Sequence, residues 1–173
     1  MFKRFAVWGC LAALSVWPAV LPAIAATEPA SDNADLARQA FTAEPVFRDL
    51  NLLGNWALDC GAPASPQNPH VATTAPGDGR VVETHDVGPE YASNLYHFLA
   101  ARRLDKDSIE AQALFRPGLE GEEAQTLVMR ISRDAKGADT RRTIYNRGAD
   151  GVRVKNGVAV RSGLKTPVLR RCG

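Results

Sequence analysis

The chain has no Cys-x-x-Cys pair, no Gly-x-Ser-x-Gly elbow and no glycine-rich loop running into a helix. Those absences remove thioredoxin-type redox chemistry, the α/β-hydrolase nucleophile and phosphate cradling from the available mechanisms. Histidine is scarce, at His70, His85 and His97 only, so acid–base or zinc chemistry near neutral pH has few places to reside. Aromatic residues make up 7%. A long apolar run occurs only at the beginning of the chain. Excess charge is absent as well, because Lys3 and Arg4 carry the whole net charge of +2, and beyond them 19 basic side chains face 19 acidic ones. A nucleic-acid partner is therefore not expected, since phosphate binding needs an excess of positive charge on one face.

What is present begins with Lys3-Arg4, an apolar stretch, and small residues at Ala23, Ala25 and Ala26. That order is the pattern of a secretory signal peptide over residues 1–26. Pro18 and Pro22 interrupt the stretch and no stop-transfer flank follows, which argues against a retained anchor. Val7-Trp8-Gly9-Cys10 leaves too short an apolar run before Cys10 for a lipoprotein box. The expected location is periplasmic or secreted, with no membrane span in the mature chain. Cys60 and Cys172 are then the only cysteines left, and in an oxidising compartment an even pair is read as a disulfide.

Residues 27–50 read as an arm, part helical or disordered, with Ser31 or Asp32 as N-cap and a short helix through Leu36, Ala40 and Phe41 that Pro45 ends. From residue 51 to residue 173 the hydrophobic period is two. Gly54–Cys60 reads as a first strand with Trp56, Leu58 and Cys60 on one side. Gly61–His70, with Pro63, Pro66 and Pro69, reads as a rigid loop. Further alternating runs follow at 80–87, 94–102, 107–116, 124–133 and 139–147. Ile109, Ala111, Ala113 and Phe115 share a face, as do Leu127, Met129 and Ile131. Asn156-Gly157 between two short valine-rich runs predicts a type I′ hairpin, because both central residues need positive φ. Val168–Cys172 reads as the last strand.

The fold expected is all-β, a single antiparallel barrel of eight to nine strands, with a β-sandwich as the alternative. A bridge from a first-strand cysteine to the chain end favours the barrel. Charge divides along the chain: residues 27–129 carry 7 basic and 16 acidic side chains, residues 130–173 carry 12 and 3. That division suits either cross-strand neutralisation or a bipolar surface facing an anionic partner.

Gly54-x-Trp56, after the apolar Leu50, Leu52 and Leu53, resembles the opening of lipocalins and related calycin barrels. The resemblance implies a barrel that binds a small apolar ligand and a late basic residue, Arg170 or Arg171, packed over the tryptophan. The stretch from Gly54 to Pro69 is also similar to uncharacterised exported proteins of Gram-negative bacteria. A second resemblance, to small periplasmic inhibitors of secreted metalloproteases, makes residues 27–50 a trunk that enters an enzyme cleft.

Glu83 and His85, two apart, share a strand face, and His97 on the next strand makes a third candidate for a metal or acid–base cluster. Trp56, Tyr96, Phe98, Phe115 and Tyr145 either fill a small barrel or line a cavity. The carboxylate pairs Asp105/Asp107 and Glu122/Glu123 lie in turns and receive no role. The function expected is non-enzymatic binding of a small apolar ligand or an envelope protein, without a cofactor. An inhibitor of a protease or lysozyme, or a small hydrolase, are the alternatives.

Overall fold

The computed structural model describes residues 42–173. Residues 1–26, read from sequence as a signal peptide, and residues 27–41 of the arm, with the expected cap at Ser31 or Asp32, lie outside the described residues.

One helix and ten strands follow in order: α1 (Ala43–Asp49), β1 (Gly54–Ala57), β2 (His70–Thr74), β3 (Val81–Asp86), β4 (Asn94–Asp105), β5 (Ser108–Phe115), β6 (Glu123–Arg133), β7 (Asp139–Gly148), β8 (Gly151–Lys155), β9 (Val158–Ala159) and β10 (Leu169–Cys172). Strands β1 to β7 form an antiparallel meander, and β10 pairs with both β1 and β7. Eight strands therefore close into a barrel, and β8–β9 extend from β7 as an additional hairpin. Closure disposes of the two open edges that the alternating runs otherwise leave.

Alternation sorts the inner face from the outer. Ile109, Ala111, Ala113, Leu127, Met129, Phe98, Val81, Val71 and Trp56 form one buried cluster. In the hairpin, Asn156 and Gly157 have φ of 53° and 71°, and β8 pairs with β9 across them. The type I′ expectation holds. A Cβ on Gly157 would stand 2.7 Å from the Arg142 guanidinium, which would have to move, and the positive φ favours glycine there.

Helix α1 closes one end of the barrel. Its Phe47 is fully buried with its ring 5.1 Å from that of Phe98, and the helix packs on β3 and β4. Thr42 N donates to Leu99 O, and Glu44 N to Gly79 O, both at 2.9 Å. Burying a phenylalanine side chain contributes about 1.5–3 kcal/mol, which is how so short a helix is held. Pro45 does not end a helix here. It lies in the first turn of α1, where its missing N–H is one the helix leaves unbonded anyway.

Two further local expectations are corrected. The first strand stops at Ala57, so Trp56 is buried while Leu58 is exposed. Asn68 causes the stop: its Oδ1 accepts from Asp59 N at 2.9 Å, and its Nδ2 donates to the carbonyls of Asp59, Ala62 and Pro63 at 3.0, 3.2 and 3.1 Å. These bonds fold the proline loop onto one side chain and draw the chain out of the strand path. Second, residues 70–74 form a strand that the sequence hides between Pro69 and Pro76. At the chain end Val168, Arg170 and Cys172 share the outer side, and Leu169 and Arg171 are the residues that face Trp56 and the core.

Cys60 and Cys172 are joined. Because Cys172 pairs in register with Asn55, three residues before β1 even begins its exit, the chain after Ala57 doubles back outside the wall to reach it. The bridge clamps β1 to β10 on the outer surface.

Candidate functional site

Trp56 anchors the seam between β10 and β1. Its Nε1 donates to Leu52 O at 3.0 Å, and two guanidinium carbons stand near the ring centroid, Arg171 at 4.7 Å and Arg141 at 4.8 Å. Arg171 also donates to the carbonyls of Leu53, at 2.8 Å, and Asn51. Its Nη1 would lie 2.7 Å from a Cβ on Gly54, whose φ is +115°. Glycine at 54, tryptophan at 56 and arginine at 171 are thus one packing unit: the glycine leaves room for the cation that covers the ring.

Arg141 carries that unit into the interior. It is 3% exposed, and its Nη1 donates to Glu83 Oε2 at 2.7 Å. Thr73 Oγ1 donates to the same oxygen at 3.0 Å, and His85 Nε2 lies 2.6 Å from Oε1. Burial pushes the Glu83 carboxyl up, but the charge of Arg141 and the His85 contact outweigh it and bring it down to about 2. The carboxylate is therefore ionised and can only accept, so the proton between it and His85 resides on Nε2. Tyr96, whose ring lies 5.1 Å from that of His85, is pushed up to about 12, first by burial and then by the Glu83 charge. It stays a neutral phenol.

A second polar chain, buried at Gln125 and Asn146, runs across β6, β7 and β8. Arg153 Nη2 donates to Glu123 Oε2 at 3.0 Å, Gln125 Nε2 donates to Glu123 Oε1, and Asn146 Nδ2 donates to Gln125 Oε1 at 2.8 Å. Asn146 Oδ1 is buried and unpartnered.

Glu83, His85, Tyr96, Arg141 and Asn146 lie around two adjoining cavities. One, about 190 Å³, is lined by Glu83, His85, Tyr96, Met129, Thr143 and Asn146 among others. The other, about 210 Å³, shares Glu83, His85, Met129 and Thr143 and reaches Thr166 and Pro167. It opens toward the β7–β10 seam, where only two residue pairs join the strands. A recess of about 550 Å³ is lined by residues from both faces of β5 and β6, among them Gln112, Leu114 and Thr126 together with Ala113, Glu123 and Gln125.

Of the residues singled out from sequence, Glu83, His85, Tyr96 and Phe98 meet at the 190 Å³ cavity. Phe115 stands beside them, its ring 5.0 Å from that of Tyr96, and Trp56 lies deeper, beneath Arg141. Tyr145 does not join them, because it pairs with Val128, on the strand side opposite to Leu127 and Met129. His97 does not reach Glu83 or His85 either. It pairs with Val82, while Tyr96 pairs with Glu83, which places the histidine on the outer face. Burial, then the nearby Arg80 charge, hold His97 below the usual histidine range. Among the described residues no group of three His, Cys, Asp or Glu side chains is placed to hold a metal ion, and no helix is long and apolar enough to cross a membrane. The residues that sequence reasoning passed over are Thr73, Gln125, Arg141 and Asn146. All are polar side chains at inward positions of alternating strands.

No protein-family model, curated protein or solved structure matches this chain.

Proposed function

We propose that the protein is a non-enzymatic, exported barrel of the cell envelope that holds a small, largely apolar ligand within the barrel, in the manner of the lipocalins that its Gly54-x-Trp56 segment resembles. The observation that carries the reading is the pair of adjoining cavities walled by Phe98, Leu127 and Met129 and edged by a few fixed polar groups, the usual make-up of a ligand site. The Arg171–Trp56–Gly54 unit supports the family likeness, and the Cys60–Cys172 bridge supports an oxidising compartment.

Native mass spectrometry of the protein purified without denaturation tests the reading. A retained mass of small-molecule size, released on unfolding, is expected. A protein that carries no ligand and takes up no small aromatic compound at millimolar concentration overturns it.

A further inference from the structure

Resting on that ligand-binding reading, we infer that the cavity selects a neutral, single-ring or similarly small molecule bearing a hydrogen-bond donor, with Asn146 Oδ1 as the acceptor that recognises it. Asn146 is 8% exposed and lines the cavity. Its orientation is fixed by the chain of bonds behind it. Glu123, paired with Arg153, can only accept, so Gln125 must present Nε2 to it and Oε1 to Asn146. Asn146 must then present Nδ2 to Gln125, which leaves Oδ1 buried without a partner. An unpaired buried acceptor is costly, and a ligand N–H or O–H removes that cost.

The remaining lining groups favour the same class. Glu83 is a carboxylate whose two oxygens are already taken up by Thr73, Arg141 and His85. No lysine or arginine lines the 190 Å³ cavity. A carboxylate meets neither there, and in the neighbouring cavity Arg141 is already paired with Glu83 while Arg142 is bonded to Thr166 and the Gly157 carbonyl. Size limits the ligand too, since a dry cavity of about 150 Å³ accommodates benzene. A ring fills the inner cavity, and a short substituent can extend into the neighbouring one.

Phenol, toluene and benzoate separate these claims because phenol and toluene differ little in shape. In a purely apolar cavity toluene binds better, as the phenol hydroxyl loses its hydration without compensation. Here the order is expected to reverse, with phenol at least about tenfold tighter than toluene, in line with the strength of a hydrogen bond to an otherwise unpaired buried group. Benzoate is expected to be the weakest of the three. Binding is read from the methyl resonance of Met129, which lines both cavities, in the disulfide-bonded protein. In Asn146→Leu the preference is expected to return to toluene. If toluene equals or exceeds phenol in the wild-type protein while Met129 shifts, the donor requirement falls and ligand binding stands. If none of the three moves Met129, the ligand-binding reading falls with it. Should the leucine variant not fold, the wild-type order alone decides.

Discussion

Removing one member of the Glu83–Arg141 pair leaves the other charged, buried and alone, which typically costs about 3–5 kcal/mol. Glu83→Leu is therefore expected to lower the urea midpoint severely, and Glu83→Leu with Arg141→Met to recover at least half of the loss. Equal destabilisation in the single and double variants would show that the pair contributes through its other contacts. The same carboxyl governs acid stability. Its pKa is near 4.5 in the unfolded chain and about 2 in the fold, so its contribution is complete above the higher value and is lost as pH falls through the lower. Melting temperature should be insensitive to this group from pH 7 to 5 and drop between about pH 4.5 and 2, a drop the double variant lacks. Asn68 acts through geometry: one amide satisfies three loop carbonyls and one N–H. Asn68→Ala should cost about 1–3 kcal/mol, with faster amide exchange across residues 58–69.

At the scale of elements, α1 and the Asn156-Gly157 turn depend on single residues. Phe47→Ala should cost about 3–5 kcal/mol by leaving a cavity where α1 meets Phe98, measured by denaturant unfolding. Retention of wild-type stability would mean that the helix is not needed to close that end. The strands themselves were readable from alternation wherever a run was long, as in β5 and β6, and from turn chemistry at Asn156-Gly157. They were unreadable where rules of thumb conflict. His70–Thr74 is five residues flanked by prolines, and pairing on both sides with β1 and β3 outweighs the local turn signals. Tyr145 misleads for another reason: a bulge between β6 and β7 opposite Val128 and Met129 shifts the face, and one extra residue reverses every later side chain. Half of the candidate site was legible, in Glu83, His85, Tyr96 and Phe98. The other half was not, because Gln125, Arg141 and Asn146 occupy inward positions, where a period-two pattern leads one to expect apolar residues and says nothing of polar partners met across the barrel.

The whole molecule depends on how far apart in sequence its seams lie. The Cys60–Cys172 bridge spans 112 residues, and tying a loop of that size is worth up to about 4–5 kcal/mol in the chain-entropy account. Cys60→Ser with Cys172→Ser should lower the melting temperature markedly while keeping the barrel's far-ultraviolet signature, and intact mass should show a two-dalton gain when the native protein is reduced. A pair of free thiols in the oxidised protein would contradict the clamp. Two ion pairs join the basic C-terminal third to the acidic remainder, Arg141 with Glu83 and Arg153 with Glu123, while Arg170 meets Asp134 within that third.

Strand β10 makes both closing seams, to β1 and to β7, and it follows every other strand in chain order. During synthesis the meander β1–β7 must therefore wait as an open sheet, with Trp56 uncovered by Arg171 and Cys60 without its mate. Closure is a late, long-range event of the kind that slows folding. Tryptophan fluorescence and disulfide formation should consequently appear together, after most strand signal has developed, and a chain stalled before Leu169 should remain a target for chaperones and for mispairing oxidants.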